Sequence, residues 1–99
     1  MNGNRYPALR NMLGSYFHQD WRLEADSAEA VVQRILEDES EEAVRKAGIE
    51  LEALLRADLT DRALATFVRD GLGCSYNPES SNGKTVREWL QELSEQLRR

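Results

Sequence analysis

Apolar side chains recur at helical spacing in five segments of this 99-residue chain, and this periodicity limits the fold more than any other feature. An apolar stripe of this kind lies along one side of a helix and must be buried against another element. The predicted helices span residues 7–17, 27–37, 41–57, 61–70 and 86–97. No alternating run of Val, Ile and Thr is long enough to predict a strand. The sequence therefore predicts an all-α fold, with residues 1–99 forming a single compact domain of about five amphipathic helices.

Residues typical of helix ends support these boundaries. Pro7 suits the first turn of a helix, where its missing N–H group is no loss. Ser40 and Thr60 can each cap the helix that follows by accepting a hydrogen bond from its first turn. Two further starts carry the spacing of a capping box, in which a polar cap is followed three residues later by Glu. These pairs are Asp26 with Glu29 and Thr85 with Glu88.

One long loop is predicted between the fourth and fifth helices, over residues 74–84. It holds Asn-Pro and Asn-Gly dipeptides, which are typical of turns, and its first three residues are the best candidate for a short extended piece. Gly71 and Gly73 precede the loop, and either can end the fourth helix by adopting a left-handed conformation.

The net charge and the single cysteine exclude several classes of protein. Thirteen basic residues against 18 acidic ones give a net charge of −5. Nucleic-acid binding and attachment to anionic membranes both need a basic face, so neither is expected. One cysteine excludes an internal disulfide and a multi-cysteine zinc site. With no signal-peptide pattern or apolar run long enough to span a bilayer, we expect a cytoplasmic protein without metal or cofactor.

The acidic charge is concentrated in the middle of the chain. Residues 24–61 carry 12 acidic and four basic side chains, a net charge of −8. The densest point, here called the acidic junction, comprises Glu37, Asp38, Glu39, Glu41 and Glu42. A helix disfavours negative charge at its C-terminal end and favours it in its first turn. The first three of these acids lie at the disfavoured end of a predicted helix, which suggests a role in binding a partner.

Few residues are candidates for catalysis. His18 is the only histidine, and with Asp20 it could act as a general acid–base pair. No nucleophile or metal cluster accompanies the pair, so the alternative is that His18 ties a helix end to a neighbouring segment through its ring nitrogens. Cys74 lacks the surroundings of a reactive thiol and is better explained as a small buried residue. The sequence therefore does not indicate an enzyme.

Several stretches of the sequence together resemble a known family. They are YPALRNMLGSYFHQDW over residues 6–21, the acidic stretch leading to Glu50, LGCSY over residues 72–76 and TVREWL over residues 85–90. In these stretches the chain resembles the helical immunity proteins of contact-dependent growth inhibition, the CdiI type. The resemblance covers nearly the whole chain. Its most specific part is the hexapeptide Tyr16, Phe17, His18, Gln19, Asp20 and Trp21.

The resemblance implies a function in binding. Such immunity proteins bind the C-terminal toxin domain of a large delivered surface protein and neutralise it in the cytoplasm of the producing cell. Because family members face different toxins, the hexapeptide is expected to serve the shared fold. The acidic junction is then the predicted toxin-binding surface, suited to blocking the basic cleft of a nuclease-like toxin. We expect a monomer that forms a heterodimer with its cognate toxin domain.

Two other functions stay open on the sequence alone. An adaptor or antitoxin-like regulator could use the same acidic surface to bind a basic host protein, and it would do so in cells that lack any toxin gene. A small enzyme could be built on His18 and Asp20, and it would lose activity on His18→Ala while keeping its fold.

Overall fold

Seven helices and one π-helical turn make up the computed structural model, which describes residues 5–98 apart from the side chains of residues 81 and 82. No strand occurs in the described range, so the all-α prediction is confirmed. The helices are α1 (Pro7–Tyr16), α2 (Trp21–Glu24), α3 (Ala28–Asp38), α4 (Glu41–Arg56), α5 (Asp61–Thr66), α6 (Pro78–Asn82) and α7 (Val86–Leu97).

The five predicted helices correspond to α1, α3, α4, α5 and α7, and the fourth differs in how it ends. After α5 the backbone widens into a π-helical turn over Phe67–Gly71, where the Leu72 N–H donates to the Phe67 carbonyl at 3.0 Å. Gly71 does not adopt the predicted left-handed conformation. A Cβ atom there would lie 2.6 Å from the Phe67 ring, so the position needs glycine for space. Gly73 does adopt it, with φ of +71°.

Two short helices were not predicted. The four residues of α2 begin at Trp21, the last residue of the hexapeptide, and α6 lies within the predicted long loop. Asn77 caps α6 by accepting from the Glu79 N–H at 3.0 Å, and Gly83 ends it with φ of +70°. Helices of four or five residues are too short to show an apolar period, so only their caps could have indicated them.

Three of the four predicted helix caps are present. Ser40 and Thr60 each accept a backbone hydrogen bond at 3.1 Å, and Thr85 with Glu88 forms a complete capping box. The prediction for Asp26 is wrong, because the cap of α3 is Ser27, which accepts from the Ala30 N–H at 3.1 Å. The helix thus begins one residue later than predicted. Glu29 then falls one position short of the capping-box site.

The core is centred on α4, which packs against α1 on one side and α7 on the other. The apolar stripes of these three helices meet there and exclude water. Fully buried side chains on these three helices include Leu9, Leu13, Leu51, Leu54, Leu90 and Leu93. A hydrogen bond also joins two of the helices, since the Leu9 N–H near the start of α1 donates to Glu50 Oε1 of α4 at 2.9 Å. Within residues 5–98, no helix has the length and apolar content needed to cross a membrane.

Candidate functional site

The hexapeptide forms the corner between α1 and α2 and contributes two aromatic rings to the core. Phe17 is fully buried and Trp21 is 5% exposed. Together with Tyr76 and Trp89 they form the aromatic cluster, in which ring centroids lie 5.0–5.7 Å apart, mostly edge to face. The cluster joins the α1–α2 corner, the segment before α6 and the first turn of α7. Its contacts support a role for the hexapeptide in the fold.

His18 does not form the catalytic pair with Asp20 that the sequence allowed. Its Nδ1 accepts from the backbone N–H of Asp20 at 3.1 Å, so the ring proton lies on Nε2. Nε2 in turn donates to Glu24 Oε2 at 2.5 Å. Both ring nitrogens therefore tie the end of α1 to α2, and the Asp20 carboxylate takes no part in these contacts.

The thiol of Cys74 is inaccessible. The residue is 2% exposed, and its Sγ lies 3.9 Å from the Tyr76 carbonyl oxygen, to which it donates. Burial raises the pKa of this thiol to about 12, so the reactive thiolate is not formed near neutral pH. Among the described residues, no three His, Cys, Asp or Glu side chains are grouped to hold a metal ion.

The acidic junction spans the end of α3 and the start of α4. Four of its members are exposed, and Glu39 is half-buried. Ser40 lies between them and caps α4, which fixes the bend between the two helices. Glu41 and Glu42 occupy the first turn of α4, where the helix dipole favours negative charge. The structure thus places all five acids at the junction of α3 and α4, at one corner of the molecule.

Partners inside the protein neutralise little of this charge. Glu42 lies 3.3 Å from Lys46 one turn along α4, an exposed pair that contributes little to stability. Gln33 donates to Glu37 at 3.5 Å. Asp38 and Glu41 have no hydrogen bond or ion pair with any residue in the range 5–98. The junction therefore presents its negative charge to the solvent.

Glu39 is held by the first residue of the hexapeptide. The Tyr16 hydroxyl donates to Glu39 Oε2 at 2.7 Å. Burial of Tyr16, and then its hydrogen bond to the carboxylate, raise the pKa of this hydroxyl to about 12. The bond connects the corner that carries the aromatic cluster to the corner that carries the acids, and it fixes the orientation of one carboxylate at the acidic junction.

A groove that the sequence did not reveal continues from the acidic junction along α4. This α4 groove has a volume of about 680 Å³ and is bounded by α4, the end of α3 and the end of α7. Its most unusual residue is Ile49, which is 56% exposed. Ile49 lies outside the buried stripe of α4. An apolar residue on a polar helix face is the one feature of the sequence that could have indicated a binding surface here. Leu97 closes the groove from α7.

Comparison with known protein families identifies the relatives of this fold. The sequence profile described as "CdiI immunity protein" matches residues 5–97. The chain belongs to the CdiI immunity protein family. This match confirms the resemblance read from the hexapeptide and the other stretches, and with it the prediction of a toxin-neutralising immunity protein.

A solved structure gives the same CdiI assignment. It is the crystal structure of a CdiA-CT/CdiI complex from Y. kristensenii 33638, and the matching chain is 27% identical to this one. The match covers 94% of this chain and 98% of that chain, with a TM-score of 0.86. No curated protein matches the sequence.

Proposed function

We propose that this CdiI protein neutralises a toxin domain by binding it directly, with the acidic junction against a basic surface of the toxin. The single observation that carries the proposal is the cluster of five acids at one corner, four of them exposed and two without a partner in residues 5–98. The family match and the similarity to a chain from a CdiA-CT/CdiI complex support a cognate toxin domain as the partner, in a one-to-one heterodimer.

The chemistry of carboxylates explains how such a surface could block a toxin. A nuclease-like toxin needs a basic cleft to hold the phosphates of its substrate. Carboxylates presented by the acidic junction would occupy the positions of those phosphates and exclude the substrate. Their field would also speed the encounter of the two proteins, because opposite charges steer diffusion. We propose that this happens in the cytoplasm of the producing cell.

Binding, rather than catalysis, is proposed as the mode of action. The two side chains best suited to catalysis are a histidine whose ring nitrogens both have partners and a cysteine that is buried. His18 is held between the Asp20 backbone and Glu24, and Cys74 is buried with a raised pKa. Neutralisation by binding needs neither group. It needs a surface that complements the toxin and a fold that keeps this surface in place.

The test is the kinetics of binding to the purified cognate toxin domain at two ionic strengths. In the test variant all five acids of the acidic junction are changed to Gln or Asn. The matched control changes five other exposed acids, namely Asp26, Glu29, Asp58, Glu79 and Glu95. Both variants have a net charge of zero, so any difference between them reports where the charge lies and not its total.

We expect the test variant to associate about tenfold or more slowly at low salt, with a flatter dependence on salt than the wild type. The control variant should lose much less, and only the wild type and control should protect cells that express the toxin domain. An unchanged association rate in the test variant would place the interface elsewhere, for example on residues 74–84.

A further inference from the structure

The α4 groove has the composition of a binding site for an apolar group within a charged rim. Ile49 and the half-buried Leu36 supply its apolar surface. Around them stand four carboxylates and two guanidinium groups, and one of the latter, Arg98, donates to Glu52 at 2.9 Å across the groove. The excess charge of the rim is therefore negative. The carboxylates are Glu39, Glu41, Glu42 and Glu52, three of which belong to the acidic junction.

Helical spacing explains why Ile49 points away from the core. It lies seven residues after Glu42, four after Arg45 and three before Glu52, so these side chains share one outer face of α4. The buried stripe of the helix lies on the other side. A large aliphatic side chain on this polar face is exposed to water in the free protein, at a cost that a bound partner would remove.

The groove also contains a glycine that the fold does not require. Gly48 lies in the interior of α4 with an ordinary helical backbone, and glycine there is less stable than alanine. A Cβ atom at this position would lie 3.6 Å from Leu97 Cβ, which is ordinary van der Waals contact. Neither the backbone conformation nor the space for a Cβ atom requires glycine rather than alanine at this position. Its effect is to leave the groove open beside Ile49.

We propose that the α4 groove receives an apolar side chain of the cognate toxin domain, carried on a segment with Lys or Arg beside it. The proposal rests on the proposed function and adds the chemistry of the contact. Charge complementarity selects the occupant, because the rim is acidic and continuous with the acidic junction. The apolar side chain would cover Ile49 above Gly48, and the flanking cations would meet the carboxylates of the rim.

The first test is the dissociation rate of the toxin complex for Ile49→Ala, compared with Leu23→Ala. Leu23 is the matched control, since among the described residues it is the other exposed large apolar side chain, 85% exposed on α2 and outside the groove. We expect Ile49→Ala to dissociate about tenfold or more faster at both low and high salt, with a nearly unchanged association rate. Leu23→Ala should dissociate as the wild type does.

A second variant tests the groove by filling it. Gly48→Met places a flexible, helix-favouring side chain in the opening. Circular dichroism checks that the variant is folded, and we expect about tenfold or greater loss of affinity. Wild-type dissociation of Ile49→Ala, equal acceleration by Leu23→Ala, or wild-type affinity of a folded Gly48→Met protein would each overturn the proposal. The charge variant separates the two proposals, because it changes the association rate whether or not the groove is occupied.

Discussion

Two corners of this molecule differ in whether their side chains are buried in the core or exposed to solvent. The corner at residues 16–21 joins α1 to α2 and sends Phe17 and Trp21 into the core. The corner at residues 37–42 joins α3 to α4, carries five acids and buries no side chain. Packing explains the side chains of the first corner. At the second corner, the acids in the last turn of α3 are unfavourable for that helix. If the acidic junction binds the toxin as proposed, the residues that hold the fold and the residues that face the partner lie at separate corners.

The acids of the acidic junction differ in their effect on helix stability. Glu41 and Glu42 stabilise the start of α4 through its dipole, while Glu37 and Asp38 stand in the last turn of α3, where negative charge is unfavourable. The stability of the two helices therefore explains Glu41 and Glu42 but does not explain Glu37 and Asp38. At the aromatic corner, by contrast, each buried ring contacts other rings, and both nitrogens of His18 have partners.

The largest expected effect comes from breaking the aromatic corner. Phe17→Ala should lower the free energy of unfolding by about 3–5 kcal/mol, because the ring is fully buried among three other aromatic rings and leaves a cavity. Urea unfolding followed by circular dichroism measures the change. A loss below about 1 kcal/mol would show that the corner does not hold the fold.

A smaller effect is expected at Glu50, an acid that serves folding. Its carboxylate accepts from the Leu9 N–H at 2.9 Å and so joins α4 to the first turn of α1. Glu50→Ala should cost about 1–2 kcal/mol, since a helix N–H group loses its charged acceptor. Glu50→Gln keeps an acceptor oxygen and should cost less. If both variants were as stable as the wild type, Glu50 would not stabilise the fold and would not differ from the acidic junction in this respect.

Tyr16→Phe tests the bond between the two corners. Loss of the hydroxyl that donates to Glu39 should cost about 0.5–1.5 kcal/mol near neutral pH. The folded pKa of Tyr16 is about 12, above the ordinary value of 10.0, so the folded state holds this proton more tightly. The contribution is complete below pH 10 and is lost as the pH rises towards 12. The stability difference between wild type and Tyr16→Phe should shrink over that window, and a constant difference would contradict the assignment.

The smallest effect on stability is expected from neutralising the whole acidic junction. Relief of repulsion and of the unfavourable charges on α3 should offset the loss of favourable charges on α4. The free energy of unfolding of the five-fold variant should therefore stay within about 1 kcal/mol of the wild type, as measured by urea unfolding. A loss above about 2 kcal/mol would assign these acids to the fold.

The long helices could be predicted because their information is local. Apolar stripes and side-chain caps such as Ser40 and Thr60 lie within a few residues of the structure they specify. The π-helical turn could not be predicted, because it depends on how the Phe67 ring packs over Gly71. The cap of α3 was misplaced because Asp26 and Ser27 are both good caps in adjacent positions.

The sequence allowed us to predict the acidic junction but not the α4 groove. The acidic junction is contiguous in the chain, so its charge could be counted directly. The α4 groove needs Leu97 of α7 beside Gly48 of α4, and no spacing in the sequence indicates that contact. The partner of His18 was missed for a similar reason, since Glu24 reaches it across the corner between two helices.

The toxin domain is proposed to contact the acidic corner and to leave the aromatic corner untouched. The most direct measurement is an NMR titration of isotope-labelled protein with the unlabelled cognate toxin domain, following each backbone amide. We expect the largest changes on residues 37–42 and on Arg45, Ile49 and Glu52 of the outer face of α4. Changes concentrated on residues 16–21 or 72–77, with the acidic junction unaffected, would contradict it.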